Sequence, residues 1–296
     1  MGEEIKISVV IPTYNSSAYI CKTLESVYKQ TKLPYEIVIV DDGSKDQTVT
    51  VIQKYIRQHV KIFDNVRIYQ QENKGAGAAR NYAISKAAGN WISFLDSDDI
   101  WDCRKIEFVE DAIVKNPDVS MVTHNKYIVD ERHPDSKKLS DVSEYYDKTE
   151  PLFVQLYRGN FLATSCMTIK KCLVQKAGGF DETLLSAQDY DLWLKIARHG
   201  RIFVIERPLE YYMVRQDNIS ANVYRRYLCE MRICKRYLPA LRKMYGRKKA
   251  ARLAAVRVLF IHRCELYLAL KNRKFVMFLK ILVHFMPQCL SVVLSG

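Results

Sequence analysis

Over the first hundred residues, short apolar runs alternate with segments of helical period. Ile5 to Ile11 is apolar except for Lys6 and Ser8 and stops at Pro12, which predicts a strand. Ser17 to Gln30 puts Ile20, Leu24 and Val27 on one helical face. Tyr35 to Val40 predicts a second strand, Asp46 to Arg57 a helix and Val66 to Tyr69 a third strand. Ala76 to Ala88 reads as a helix closing at Gly89, followed by a fourth strand from Trp91 to Leu95. Such alternation with short connectors predicts an α/β fold, a mostly parallel sheet with helices on both faces. Ligands of such sheets sit beyond the carboxyl ends of the strands, so the residues just after each strand matter most.

Further along, the pattern loosens. Asp130 to Glu150 is polar with few apolar anchors and reads as a mobile surface loop. Apolar stretches follow at Leu152 to Tyr157 and Cys166 to Ile169, then a helix from Asp189 to His199 ended by Gly200. Phe203 to Ile205 and Leu209 to Val214 read as late strands. From Ala221 onward the segments become long, basic and helical, so a boundary falls near Asn218 to Val223. This divides the 296 residues into a body, 1–220, and a C-terminal region, 221–296.

Charge sharpens that division. The formal net charge is +13, and of 46 Lys and Arg, 17 lie from Ala221 onward against two acids, Glu230 and Glu265. The body is close to neutral, which argues against a DNA-binding regulator. Eight cysteines are scattered without a C-x-x-C pair, so free thiols in a reducing compartment are expected, not bridges or zinc. The start, Met1-Gly2-Glu3-Glu4-Ile5-Lys6, does not read as a signal peptide, and Lys6 stands where a myristoylation pattern needs Ser or Thr.

The strand ends carry the candidate chemistry. The first strand runs into Pro12-Thr13-Tyr14-Asn15, and the second into Asp41-Asp42-Gly43-Ser44, which alone reads as a turn with Ser44 or Asp46 capping the next helix. The fourth runs into Asp96-Ser97-Asp98-Asp99, three acids within four residues. In an extended Asp-x-Asp both side chains project to one side. That arrangement suits an oxygen-liganded Mg²⁺ or Mn²⁺ bridging to a substrate diphosphate. The competing reading is a cap by Asp98 or Asp99 on a helix beginning near Trp101. Arg80 is a candidate second positive group. The segment before it, Gly75-Ala76-Gly77-Ala78-Ala79, has Arg80 in place of the third glycine of a dinucleotide fingerprint and follows the third strand, not the first.

Taken in order, Val9-Val10-Ile11-Pro12-Thr13-Tyr14-Asn15, Asp41-Asp42-Gly43-Ser44, Gly75-Ala76-Gly77-Ala78-Ala79-Arg80-Asn81 and Phe94-Leu95-Asp96-Ser97-Asp98-Asp99 resemble the inverting family 2 glycosyltransferases of GT-A fold. The resemblance continues through Ala177-Gly178-Gly179-Phe180-Asp181 and Gln188-Asp189-Tyr190-Asp191-Leu192-Trp193, so it spans about residues 5–215. It implies a nucleotide-sugar half at about 1–100 and an acceptor half at about 101–220. It also implies that Pro12, Thr13, Tyr14, Asn15, Asp41, Asp42, Arg80, Asp96 and Ser97 contact the nucleotide sugar, that Asp96 and Asp98 hold Mn²⁺ or Mg²⁺, and that Asp189 is the catalytic base. One departure is Arg215, standing about where the family often carries a His.

Asp189 can also be weighed from its own sequence. It lies three and four residues before Leu192 and Trp193 on an inward face, where desolvation raises a carboxyl toward the range useful for a base; an N-cap is the alternative. In the C-terminal region, Leu253, Val256, Phe260, Cys264, Tyr267 and Leu268 make an apolar face flanked by Arg252, Arg257 and Arg263. Phe275 to Leu294 is nearly continuous apolar sequence, but Lys280 and Pro287 count against a spanning helix. The expectation is in-plane attachment to an anionic membrane surface, peripheral on the cytoplasmic face, with a helical bundle packed on the body as the alternative. The resemblance to surface-polysaccharide enzymes then implies a UDP-sugar donor, UDP-glucose or UDP-galactose first, and a polyprenyl-diphosphate-linked saccharide acceptor. The rival classes are a metal-dependent nucleotidyltransferase, which lacks a G-x-x-x-x-G-K-[ST] loop here, and a non-catalytic nucleotide-sugar-binding membrane protein.

Overall fold

The computed structural model describes residues 4–62, 64–214, 223–271 and 275–283. Strands β1 (Ile7–Thr13), β2 (Glu36–Asp41), β3 (Val66–Gln70) and β4 (Trp91–Phe94) alternate with helices α1 (Ile20–Tyr28), α2 (Thr48–His59) and α3 (Ala76–Lys86). All four strands are parallel, β1 lying between β2 and β4 and β3 at the edge. Strands covered on both faces must be apolar at every position, and alternate side chains go to opposite cores. Val9 and Ile11 join Leu24, Ile52 and Ile106 on one face, while Val10 joins Ala79 and Phe94 on the other.

The second half extends the sheet. After β5 (Ile100–Trp101) come α4 (Lys105–Lys115), β6 (Met121–Asp130), β7 (His133–Ser140), α5 (Leu152–Arg158), β8 (Thr168–Lys170), α6 (Lys171–Lys176), α7 (Gln188–Ile196) and β9 (Ile202–Val214). The strand order is β3-β2-β1-β4-β8-β6-β9-β5, with β7 paired to β6. β8 runs antiparallel to β4, yet the parallel ladders, including the long β6–β9 pair, carry most of the paired residues.

Three sequence expectations change here. The supposed loop at 130–150 holds β7 and a short 3₁₀ turn, Val142–Glu144. The two late strands are one, β9, running through Pro208 with a register shift beside it. The helix expected near Trp101 begins at Lys105, because Ile100 and Trp101 pair with Tyr211 and Glu210.

Helix α8 (Val223–Lys271) bends sharply at Gly246, whose φ of +76° lies in the left-handed region that glycine enters freely. The arms fold back on each other through Arg226–Glu265 and Arg257–Glu230 pairs, each 2.7 Å. The first arm buries Met231, Ile233, Cys234, Leu238 and Leu241 in the same core as α5 and α7. The Tyr157 hydroxyl donates to the Cys234 carbonyl at 3.1 Å. Arg257, expected on the basic flank of the apolar face, is only 3% exposed, because Glu230 neutralises it between the arms. The outer face of the second arm remains apolar and exposed at Val256, Leu259 and Tyr267. Residues 275–283 form a further helical stretch, and no helix among the described residues is long and apolar enough to cross a membrane. The rest of the Phe275 to Leu294 run, together with Arg215 and the boundary near Asn218, lies outside the described residues. All seven described cysteines are free thiols.

Candidate active site

A cleft of about 1780 Å³ opens beyond the carboxyl ends of β1, β2 and β4, where the crossing order of a parallel sheet leaves a crevice. Pro12, Thr13, Tyr14 and Asn15 line it from the end of β1, Asp42 from the end of β2, and Arg80 from α3. Asn15 accepts from the Lys45 amide at 2.8 Å, and its own amide donates to Ser44 at 2.9 Å, which fixes the two loops together. Asp41 does not line the cleft. It is 1% exposed and accepts from the hydroxyls of Thr13 and Ser44, pinning the turn beneath the cleft wall. Asp42 accepts from the Gln71 side chain (2.7 Å) and from the amides of Lys74 (2.9 Å) and Gly75 (2.8 Å), so it holds the entry to α3. Of the capping expected of Ser44 or Asp46, Asp46 supplies it, accepting from the Thr48 amide at 3.0 Å at the start of α2 and also from the Ser17 amide, while Ser44 bonds across to Asn15.

The glycines of the Gly75–Gly77 segment act by close approach. A Cβ at Gly77 would stand 2.9 Å from the Gln188 side chain, so the missing methyl lets α3 meet the start of α7. Arg80, three residues on, is 8% exposed and places its guanidinium 2.5 Å from Asp96 and over the Phe180 ring. Motifs a hundred residues apart in sequence are thereby joined around one pocket.

Asp96 to Asp99 form a hydrogen-bonded turn, the Asp99 amide donating to the Asp96 carbonyl at 3.1 Å, in place of the extended Asp-x-Asp expected from sequence. Asp96, Ser97 and Asp98 still line the same cleft. The Ser165 hydroxyl fixes the turn by accepting from the Asp96 amide at 3.0 Å and donating to Asp99 at 2.6 Å. Ser97 is held by Ser16 and Thr23. Asp99 is buried beside Glu210, and burial, with Glu210 adding to it, pushes its carboxyl well above the usual range. Asp99 therefore braces the turn and caps no helix; α4 starts after Arg104 without a side-chain cap. Among the described residues no three or more His, Cys, Asp or Glu groups gather to hold a metal ion. Two carboxylates on one wall nevertheless suit a hard divalent cation that draws its other ligands from phosphate and water.

Asp189 lines the same cleft. It stands in the first turn of α7, whose N-cap is Ala187, so the capping alternative does not hold. Ala187 has φ +56°, a strained conformation for a residue with a Cβ, kept immediately before the segment that presents Asp189. Burial raises the Asp189 carboxyl above its ordinary value, with the Tyr190 amide and Arg80 opposing that shift. Asn160 donates to Asp189 at 3.3 Å, a contact that no motif in the sequence signalled. Asp191, two residues on, turns the other way and is fully buried against α8. The rest of the cleft is lined by residues far from the motifs, including Lys126, Tyr145, Phe161, Glu210, Arg226 and Phe260.

A parallel nucleotide-type half sheet, an acid turn after β4 and a facing acid at the start of α7 define a GT-A glycosyltransferase fold. Residues 8–177 match the family described as Glycosyl transferase family 2, and the chain belongs to that family of glycosyltransferases. An uncharacterized glycosyltransferase of Rickettsia typhi is 32% identical over 208 residues, 67% of this chain and 60% of that protein. The chain spans 33% of the Rickettsia conorii relative's length and 28% of the Rickettsia bellii relative's. The Escherichia coli UDP-Glc:alpha-D-GlcNAc-diphosphoundecaprenol beta-1,3-glucosyltransferase WfgD is 28% identical over 75% of this chain and 83% of its own. In fold, S. aureus TarS in complex with UDP-GlcNAc superposes with a TM-score of 0.72 at 21% identity, over 98% of this chain and 82% of TarS. The Pyrobaculum calidifontis mannosyltransferase PcManGT, in complex with GDP-Man and Mn²⁺, gives 0.61 at 18% identity, over 99% and 86%.

Proposed function

We propose that this chain transfers a hexose, with inversion, from a UDP-sugar such as UDP-glucose or UDP-galactose to a hydroxyl of a lipid-diphosphate-linked saccharide. The observation that carries the reading is that Asp98 and Asp189 line one cleft, with Asp42 and Arg80 on the donor side and Asn160 beside Asp189. WfgD, named for a UDP-Glc donor and a diphosphoundecaprenol-linked acceptor, supports the choice of substrates.

In this mechanism the donor diphosphate lies against the Asp96–Asp99 turn, with Arg80 supplying fixed positive charge. Asp96 and Asp98 would hold Mn²⁺ or Mg²⁺, which when bound offsets the charge gained by the departing UDP. Asp189 takes the proton of the acceptor hydroxyl while that oxygen bonds to the anomeric carbon and the carbon–oxygen bond to UDP breaks. One face of the sugar is attacked as the other is vacated, so configuration inverts. Asn160 keeps the carboxylate aimed at the acceptor, and partial burial keeps it basic enough to act.

The C-terminal region, 221–296, completes this unit in two ways. Residues 223–271 close the acceptor side, and the outer stripe of Val256, Leu259 and Tyr267, with Arg252 and Arg263 near it, supports peripheral attachment to an anionic membrane at the cytoplasmic face. The test is incubation with a panel of nucleotide sugars, Mn²⁺ or Mg²⁺ and a lipid-diphosphate N-acetylglucosamine, followed by product mass. A gain of one hexose is expected. Gain of a nucleotide with pyrophosphate release would instead mark a nucleotidyltransferase, and no product from any pair would sink the reading.

A further inference from the structure

We propose that Tyr145 and Phe161 form a stacking platform for a pyranose ring of the acceptor saccharide. The inference deepens the reading above and rests on it. The two rings lie nearly parallel, with planes 16° apart and centroids 6.4 Å apart, on the acceptor side of the cleft. Tyr145 is 61% exposed, a large flat apolar face left in water beside a polar pocket. Pyranose rings present one face of C–H groups and an edge of hydroxyls, so aromatic faces flanked by hydrogen-bonding groups match them. Both kinds of group are present: Asp141, Asp147 and Asn160 line the same cleft.

The platform is set before any ligand arrives. Val142, 6% exposed, anchors the turn that carries Tyr145, and its amide donates to the Asn125 side chain at 2.8 Å. Leu162, 2% exposed, anchors the segment that carries Phe161 and donates its amide to the Asn160 side chain at 3.1 Å. Backbone held this way leaves only the side-chain torsions to be ordered on binding, so more of the contact appears as affinity. The position assigns the occupant. Phe161 follows Asn160, which touches Asp189, so a sugar stacked here has its hydroxyl edge beside the proposed base.

Two measurements test this. Saturation-transfer NMR with methyl α-N-acetylglucosaminide, UDP and the full chain should show transfer to the pyranose C–H protons, lost in Tyr145→Ala and in Tyr145→Leu, which keeps bulk without a flat face. In turnover with the lipid-diphosphate acceptor, the same variants should raise acceptor KM about tenfold or more, the loss of roughly one good contact, with UDP affinity unchanged. No saturation transfer in the parent chain, or equal signals and acceptor KM in the variants, would overturn the platform. Platform binding without any hexose transfer would leave the platform standing and remove the transferase reading.

Discussion

The guanidinium of Arg236 lies 2.6 Å from the carboxylate of Asp191, joining α8 to the helix that carries Asp189. Its other nitrogen is 2.7 Å from Asp181, so a single side chain of the C-terminal region bridges two motifs of the body. Tyr237 donates to Asp191 Oδ1 at 3.0 Å and Lys195 forms an ion pair with Oδ2 at 3.0 Å, which neutralises a carboxylate that has no access to water. The basic region is therefore part of the framework that positions α7.

Arg236→Ala should lower stability by about 2 kcal/mol, less than for an isolated buried pair because Lys195 and Tyr237 remain on Asp191. The loss should appear as a fall in Tm and in kcat/KM. Truncation before residue 223 removes the cover over α5 and α7 and should yield insoluble protein. A soluble body with full turnover would contradict this account of α8.

Asp189→Asn should cut transfer by ~10²–10⁴-fold, the usual worth of a positioned base, with UDP affinity unchanged. In the parent chain the acid limb of the pH–rate profile should lie above the ordinary Asp value of about 3.9, because burial raises this carboxyl and only its ionised form takes a proton. The stability sign is opposite. A carboxyl raised on folding binds more protons folded than unfolded, so its contribution falls as pH climbs from the unfolded value through the folded one. The neutral amide removes that cost, and Asp189→Asn should melt at or above the parent at pH 7. Calorimetry and a pH–rate profile read both effects, and an unchanged acid limb in the variant would exclude the base role.

Much of this was legible in the sequence where one physical term dominates. β1, β2 and β4 sit within a residue or two of their apolar runs, since strands covered on both faces carry an almost unbroken apolar signal. β7 reads His-Pro-Asp-Ser-Lys-Lys-Leu-Ser and is a strand only because β6 pairs with it, a tertiary effect that local composition does not report. The acid turn and Asp189 were visible through ordered motifs, while Asn160 and Ser165 were not. A lone amide or hydroxyl gains meaning only from what folds against it. Arg257 makes the same point: sequence counts a charge, but only packing against Glu230 turns it inward.

Asp98→Ala should weaken UDP binding in Mn²⁺ toward the value measured with EDTA, and abolish the difference between the two. Isothermal titration of UDP reads this without turnover. The Asp96–Asp99 turn is held by Ser165 through Asp96 and Asp99. Equal UDP affinity with and without metal in the parent chain would remove the metal from Asp98.

The outer face of the second α8 arm gives the last prediction. Val256 is 62% exposed and Leu259 54%, and the following helical stretch adds Phe275 at 64% and Leu279 at 61%. Side chains this apolar cost free energy in water, and burying them at a membrane surface recovers it, with nearby basic residues adding ~1 kcal/mol each near anionic lipid. Full-length protein should sediment with vesicles of anionic phospholipid and less with neutral ones, and salt should weaken the difference. Leu259→Glu with Leu279→Glu should release the protein from the vesicles. Neither residue lines the cleft, so UDP binding should persist in that variant. Equal sedimentation of parent and variant would show that this stripe is not what meets the lipid.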